Sequence, residues 1–226
     1  GDIDLVASVI LSYDEKDLDM VQNYNYNQDY MLTETPKFAF VKGPVWDFGE
    51  DDMQEQIVKF IKNLSFEVEE LNLGDDFNEA ASSHEIIMNG SIAKSLSQYY
   101  KTEKEKLHPF TISRIEAGFP VSAKQYIESI ENAKKMQQTL SKLFNKFDAI
   151  ITPAAPGQAP RDLMNTGNAI FNGYWTMMGV PTISLPLLKG KDSLPIGIQI
   201  ITSWNEDFKL LKIAEYILQE TKKLDD

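Results

Sequence analysis

The chain is 226 residues long, 42% hydrophobic and 25% charged, which is enough for one large domain or two small ones with a sizeable core. Its 34 acidic against 22 basic residues leave a net charge of −12, a field that repels phosphate backbones and anionic lipid and argues against nucleic acid or a membrane surface as partner. The absence of cysteine excludes a disulfide framework, a thiol nucleophile and a thiolate metal site, and fits a cytoplasmic setting.

The opening, Gly1-Asp2-Ile3-Asp4, is unlike a signal peptide, and a first residue other than Met makes the chain read as a piece of a longer protein. Asp4 to Leu11 reads as a helix with Leu5, Val6, Val9 and Ile10 on one side. Tyr13 to Glu34 is polar and reads as a solvated loop. Its acidic residues Asp14, Glu15, Asp17 and Asp19 do not make a calcium loop, because Lys16 and Leu18 break the alternation of ligands. Phe38 to Val41 is a strand ended by Gly43-Pro44. Asp51 or Asp52 is expected to cap a helix carrying Met53, Ile57, Phe60, Ile61 and Leu64. Phe66 to Glu69 reads as a second strand, and Asp75-Asp76 opens a helix reaching about Tyr100. Strand, helix, strand, helix predicts parallel pairing through right-handed crossovers.

Lys101 to Lys106 is a charge run read as a solvated turn. Gly118 and Pro120 break the chain, and Ser122 starts a long helix with Tyr126, Ile127, Ile130, Ala133, Gln137, Leu140 and Phe144 at helical spacing. Ala149 to Thr152 is a short apolar strand stopped by Pro153. A loop stiffened by Pro153, Pro156 and Pro160 leads to a helix from about Asn168 to Met178, which Gly179 closes. Pro181 to Leu187 and Ile196 to Thr202 are β-branched-rich strands joined by a polar turn, and a last helix runs from about Glu206. The strands at Ala149, Thr182 and Ile196 read as buried on both faces. The fold class expected is α/β, a mixed β-sheet covered by helices on both faces, with no internal repeat or linker dividing the chain.

Few residues carry chemistry by pattern alone. Ser83-His84-Glu85 invites a relay reading, but neighbours on a helix point to different faces, so His84 reads as a packing or hydrogen-bonding residue. His108 before Pro109 reads as a surface residue, and two distant histidines make no zinc site. Phosphate-cradling glycine motifs and the GxSxG elbow are absent. Phe171 and Trp175 lie one helical turn apart, as do Asn172 and Thr176, which suits an aromatic pocket wall with a few polar groups. The same aromatics would also suit plain core. Gln199 alternates with Ile198 and Ile200 and reads as a buried amide serving a loop backbone.

A family resemblance rests on many glycines and prolines at fixed offsets. Phe147-Asp148 to Thr152-Pro153, Ala159-Pro160, Thr166-Gly167, Trp175-Thr176, Gly179-Val180-Pro181, Leu185-Pro186, Leu194 to Gln199, Asp207 and Leu210-Leu211 occur in the order and spacing of the carboxyl-terminal half of amidase signature enzymes. Asp4-Leu5 to Asp17, His84 to Met88 and Ile115 to Gly118 also resemble landmarks of that family. The resemblance implies an amidase signature-like α/β/α fold, present in part over residues 1–226. It also implies an activity, hydrolysis of a carboxamide to carboxylate plus ammonia or amine by a serine-dependent enzyme. The helix with Phe171, Asn172, Trp175 and Thr176 would line the acyl side of the substrate pocket, although many relatives carry Asn where Thr176 stands.

The family's catalytic residues cannot be carried over. Its Gly/Ser-rich stretch, with a Ser nucleophile and a second Ser, and its upstream Lys have no counterpart here. The only adjacent serines, Ser82 and Ser83, lie in a stretch without glycine. The chain alone is therefore expected to be inactive, with no catalytic residue, cofactor or metal of its own. Its expected partners are a small-molecule amide, the missing amino-terminal half of the same enzyme and, as an option, a second copy in a homodimer. The alternative is a non-catalytic protein of the same fold that serves binding or assembly.

Overall fold

Phe38–Val41, four residues that are all buried, make the strand on which the sheet is built. The computed structural model describes residues 1–17, 20, 21 and 30–225. Leu18, Asp19 and residues 22–29 of the tyrosine-rich stretch expected to be a solvated loop lie outside the described residues. In chain order the elements are α1 (Asp2–Ile10), β1 (Phe38–Val41), α2 (Asp51–Asn63), β2 (Val68–Leu71), α3 (Ala80–Thr102), α4 (Pro109–Gly118), α5 (Ala123–Phe144), β3 (Ala149–Pro153), α6 (Ile170–Met178), β4 (Thr182–Lys189), β5 (Pro195–Ile201) and α7 (Asp207–Asp225). Among the described residues no helix is long and apolar enough to cross a membrane.

The strands form one five-stranded sheet in the order β2-β1-β3-β5-β4. β1 pairs in parallel with β2 and β3, whereas β5 is antiparallel to both β3 and β4, so the sheet is mixed. Register decides the two faces. Phe38 aligns with Ala149 and Phe40 with Ile151, which aligns in turn with Ile200, and Tyr216 of α7 stacks on Phe38 at 6.3 Å. Ile150, Thr152 and Gln199 point the other way, where Tyr174 of α6 lies beside Thr152. Helices therefore cover both faces, as the alternation of elements predicts. α5 is the most strongly signalled of them. Ser122 and Gln125 form a capping box, and Ser129, Ala133, Met136 and Leu140 are its buried stripe.

Several expectations are corrected. Neither Asp51 nor Asp52 caps α2: Glu50 stands at that position without a side-chain cap, and the Asp52 carboxylate accepts from the Lys191 N–H of the distant β4–β5 turn at 3.0 Å. Phe66 is not in a strand. It packs its ring 4.7 Å from Phe38 and 5.5 Å from Tyr216, and β2 begins two residues later. Asp75–Phe77 is a single 3₁₀ turn, and the long helix starts at Ala80. β4 is not buried on both faces. It is an edge strand on which Thr182, Ser184 and Pro186 are exposed while Leu185 and Leu188 face the core. On α1, the apolar Leu5, Val6, Val9 and Ile10 are all exposed.

Asp148 fixes the start of β3 to the start of β1. Its own N–H donates to the Lys37 carbonyl at 2.8 Å, its carboxylate accepts from the Lys37 N–H at 2.9 Å, and Lys209 of α7 approaches the second oxygen at 3.0 Å. Burial pushes the Asp148 carboxyl up, but the Lys37 N–H and the Lys209 ammonium outweigh it and hold the group below its ordinary value of 3.8. A depressed carboxyl contributes stability above its unfolded pKa and loses it as pH falls through the lower folded value. Asp148→Asn should cost about 1 kcal/mol at neutral pH, a figure kept low because a side chain 38% exposed is screened by solvent. Urea unfolding should show the variant converging on the parent below about pH 4. Equal midpoints at pH 7 would mean that the ion pair contributes nothing.

Candidate active-site wall

The loop that leaves β3 is tied down before it reaches α6. Ala154 N–H donates to the Gly197 carbonyl at 3.1 Å, and the Pro156 carbonyl accepts from Glu50 N–H at 2.7 Å. Asp192, in the β4–β5 turn, holds the middle of the loop through an ion pair with Arg161 and a 2.7 Å hydrogen bond from Gln158. Asp162, Asn165 and Asn168 each accept from the N–H two residues on, the local side-chain turns that favour these residue types outside regular structure.

α6 spans nine residues, Ile170–Met178, and ends at Gly179, whose φ of 69° is the left-handed conformation expected of a helix-closing glycine. Its last carbonyls are also held, since Met178 O accepts from Gln137 Nε2 of α5 at 3.1 Å and from Trp204 Nε1 at 2.8 Å. The helix is thus packed against α3 and α5 and held near the carboxyl end of β3. In open α/β sheets that side is where ligands bind.

The four candidate pocket residues divide by face. Phe171 and Trp175 are fully buried in the hydrophobic core. Asn172 is half-buried and donates through Nδ2 to the Ala154 carbonyl at 3.1 Å, and Thr176 is exposed. Beside them lies a group of buried polar atoms in which the sequence pattern singles out Trp175 and Gln199 but not Thr152 or Tyr174; Gln199 is buried as expected, but its Oε1 serves no loop backbone among the described residues. Thr152 Oγ1, Tyr174 OH, Trp175 Nε1 and Gln199 Oε1 have no hydrogen-bond partner among the described residues. Thr152 and Gln199 are direct register partners, the Tyr174 and Trp175 rings are 4.6 Å apart, and the Tyr174 hydroxyl lies beside Thr152. Burial pushes the Tyr174 phenol well above its ordinary range, so the group is neutral at physiological pH. The hydroxyl also lies against Gly43, where a β-carbon would stand 2.5 Å from it. Gly43 in turn lines a cleft of about 610 Å³ past the carboxyl ends of β1 and β2, with Lys42, Asn72, Gly74 and Phe77.

Two residues weighed in the sequence have clear places. His108 is exposed and caps α4, its Nδ1 accepting from the Phe110 N–H at 3.2 Å. His84 is half-buried on α3, with its ring against Gly173 in the middle of α6. Among the described residues no group of three or more His, Cys, Asp or Glu is placed to hold a metal ion.

Comparison with known proteins bears on the same elements. The family described as Amidase matches residues 1–211. The chain is 30% identical over 144 residues to a glutamyl-tRNA(Gln) amidotransferase subunit from Clostridium botulinum (strain Eklund 17B / Type B), covering 58% of this chain and 30% of that protein. It is 24% identical over 216 residues to the protein of the same name from Alkaliphilus metalliredigens (strain QYMF), covering 82% and 43%. Among solved structures, 6-aminohexanoate cyclic dimer hydrolase complexed with substrate superposes with a TM-score of 0.75 at 16% identity, over 97% of this chain and 53% of that one. An amidase crystal structure gives 0.72 at 18% identity, over 82% and 46%. These likenesses show the fold. The chain spans less than half the length of the curated relatives and about half that of the solved chains.

Proposed function

Because the chain belongs to the Amidase family, we propose that it is the carboxyl-terminal part of an amide C–N hydrolase and supplies the acyl-side wall of its substrate pocket. The observation that carries this reading is α6. It is pinned at both ends near the carboxyl end of β3, with Asn172 and Thr176 on its open side and Phe171 and Trp175 as the floor beneath them. A wall of this kind binds a small amide by apolar contact and orients it with a few polar groups.

The nucleophile and its bases come from an amino-terminal half of the same enzyme, which is the chain's first partner. A serine alkoxide there attacks the amide carbonyl carbon, backbone N–H groups hold the resulting oxyanion, and the C–N bond breaks as the amine or ammonia leaves with a proton. Water then opens the acyl ester to release the carboxylate and restore the serine. Homodimerisation and a cytoplasmic setting are compatible with the acidic, cysteine-free composition. No cofactor enters any of these steps.

The test is an assay of the full-length protein that carries this chain, on a panel of primary and secondary amides, reading ammonia or amine release. Turnover of at least one amide, with Thr176→Ala raising KM more than it lowers kcat, is expected. A folded full-length protein that turns over none of them would overturn the reading.

A further inference from the structure

Gly173 is buried at the centre of α6, and a β-carbon there would lie 2.6 Å from both Nδ1 and Cε1 of His84 and 3.2 Å from Cγ. Real side chains do not approach so closely, so with His84 in place α6 can lie at this distance from α3 only if residue 173 is glycine. A glycine in the middle of a helix lowers its intrinsic stability, and the close contact offsets that loss. The other side of α3 is gripped the same way. Gly118 of α4 lies against the backbone of Asn89 and the β-carbon of Ala93, and Arg114 of α4 reaches Glu85 at 3.0 Å and Asn89 Oδ1 at 3.4 Å. The charged groups facing His84 are thus Glu85 from its own helix and Arg114 from α4, and α6 has no charged residue.

We propose that His84 is a positioning residue: its neutral imidazole, laid on Gly173, sets the distance between α3 and α6 and with it the place where Asn172 and Thr176 stand. The proposal rests on the reading of α6 as the acyl-side wall. Burial, and after it Arg114, lowers the His84 pKa from 6.5, against the opposing pull of Glu85. A base whose folded pKa is depressed keeps its full contribution to stability above the unfolded value of 6.5 and loses it as pH falls from there toward the lower folded value, where the imidazole in the folded protein takes up its proton and the contact weakens. Protonation would seat a cation in a half-buried space that Arg114 already faces.

A test independent of turnover uses the absence of cysteine from the chain. In the full-length protein carrying Thr176→Cys, labelling by a disulfide reagent is mapped by mass spectrometry, so that any label within residues 1–226 reports on α6 alone. Corrected for thiolate fraction, the labelling rate should rise about fivefold or more with either His84→Ala or Gly173→Ala, and the two together should return to within about twofold of the parent. With His84 intact the rate should also climb below pH 6.5, and His84→Gln, which keeps bulk without a titrating group, should remove that climb. On amides, His84→Ala should raise KM with kcat little changed. Rates within about twofold of the parent in folded His84→Ala and His84→Gln at every pH would overturn the proposal, even if Gly173→Ala does not fold. If the parent turns over no amide, the proposed activity fails while the labelling still decides the positioning role.

Discussion

Trp175→Ala should cost the folded protein about 3–5 kcal/mol and also change its ranking of amides, the larger loss falling on substrates with aromatic acyl groups. Trp175 has 0% of its surface exposed, and its ring packs on Tyr174 at 4.6 Å in the hydrophobic core. Truncating it removes the transfer free energy of an indole and opens a cavity that a pinned helix cannot collapse to fill. The contrast is Thr176→Ala one residue on. That side chain is exposed, so stability should move by less than about 0.5 kcal/mol while KM rises. Trp175→Phe should recover most of the lost stability, because it restores an aromatic floor and removes an indole N–H that has no partner among the described residues. Urea unfolding of this set, with relative rates across short and aromatic amides, separates the roles. A full stability loss with unchanged relative rates would make Trp175 core alone and withdraw it from the pocket.

What the sequence makes legible here is local. The helix start at Ser122, the left-handed Gly179 and the apolar β3 are each decided by a few neighbouring residues, and all three stand where the pattern predicts. The errors arise where a distant element decides. Phe66 has strand propensity but packs its ring against Phe38 and Tyr216 instead of joining the ladder. Asp52 carries an N-cap signature, yet a turn 139 residues away takes its carboxylate. β4 reads as doubly buried because its apolar residues are nearly continuous, whereas its place at the end of the sheet leaves one face open. The site shows the same division. Helical spacing pairs Phe171 with Trp175 and Asn172 with Thr176, but it says nothing of Tyr174 meeting Thr152 and Gly43, or of His84 meeting Gly173. Those contacts join separate elements across the fold, and only glycines at 43 and 173, tolerable for many reasons, marked them in the sequence.

A fluorophosphonate probe should leave residues 1–226 unlabelled and react, in the full-length protein, with a serine outside them. An activated serine needs a base within hydrogen-bond reach and N–H groups aimed at the developing oxyanion. Among the described residues the hydrogen bonds of serine hydroxyls run to backbone carbonyls, as at Ser8, Ser82, Ser97 and Ser113, or to Glu220, Gln125, Asn132 and Tyr126. None runs to a lysine or histidine. Ser83 and Ser129 are buried where no substrate carbonyl could reach them. Ser184 is exposed on the edge strand and lies beside Gly197, with no lysine or histidine hydrogen-bonded to it among the described residues. Lysine fares no better as a base. Lys209 is the best-shielded lysine that forms an ion pair, with 15% of its side chain exposed. Burial lowers its pKa, but Asp148 and Glu206 outweigh that and hold it above 10.5, so it stays protonated. The experiment labels the full-length protein, maps the modified residue and repeats the amide assay on that serine's alanine variant, in which turnover should fall by at least about a thousandfold. Stoichiometric labelling of any serine from Ser8 to Ser203, with amide turnover lost on its replacement, would place the nucleophile inside this chain and refute the division of labour proposed for it.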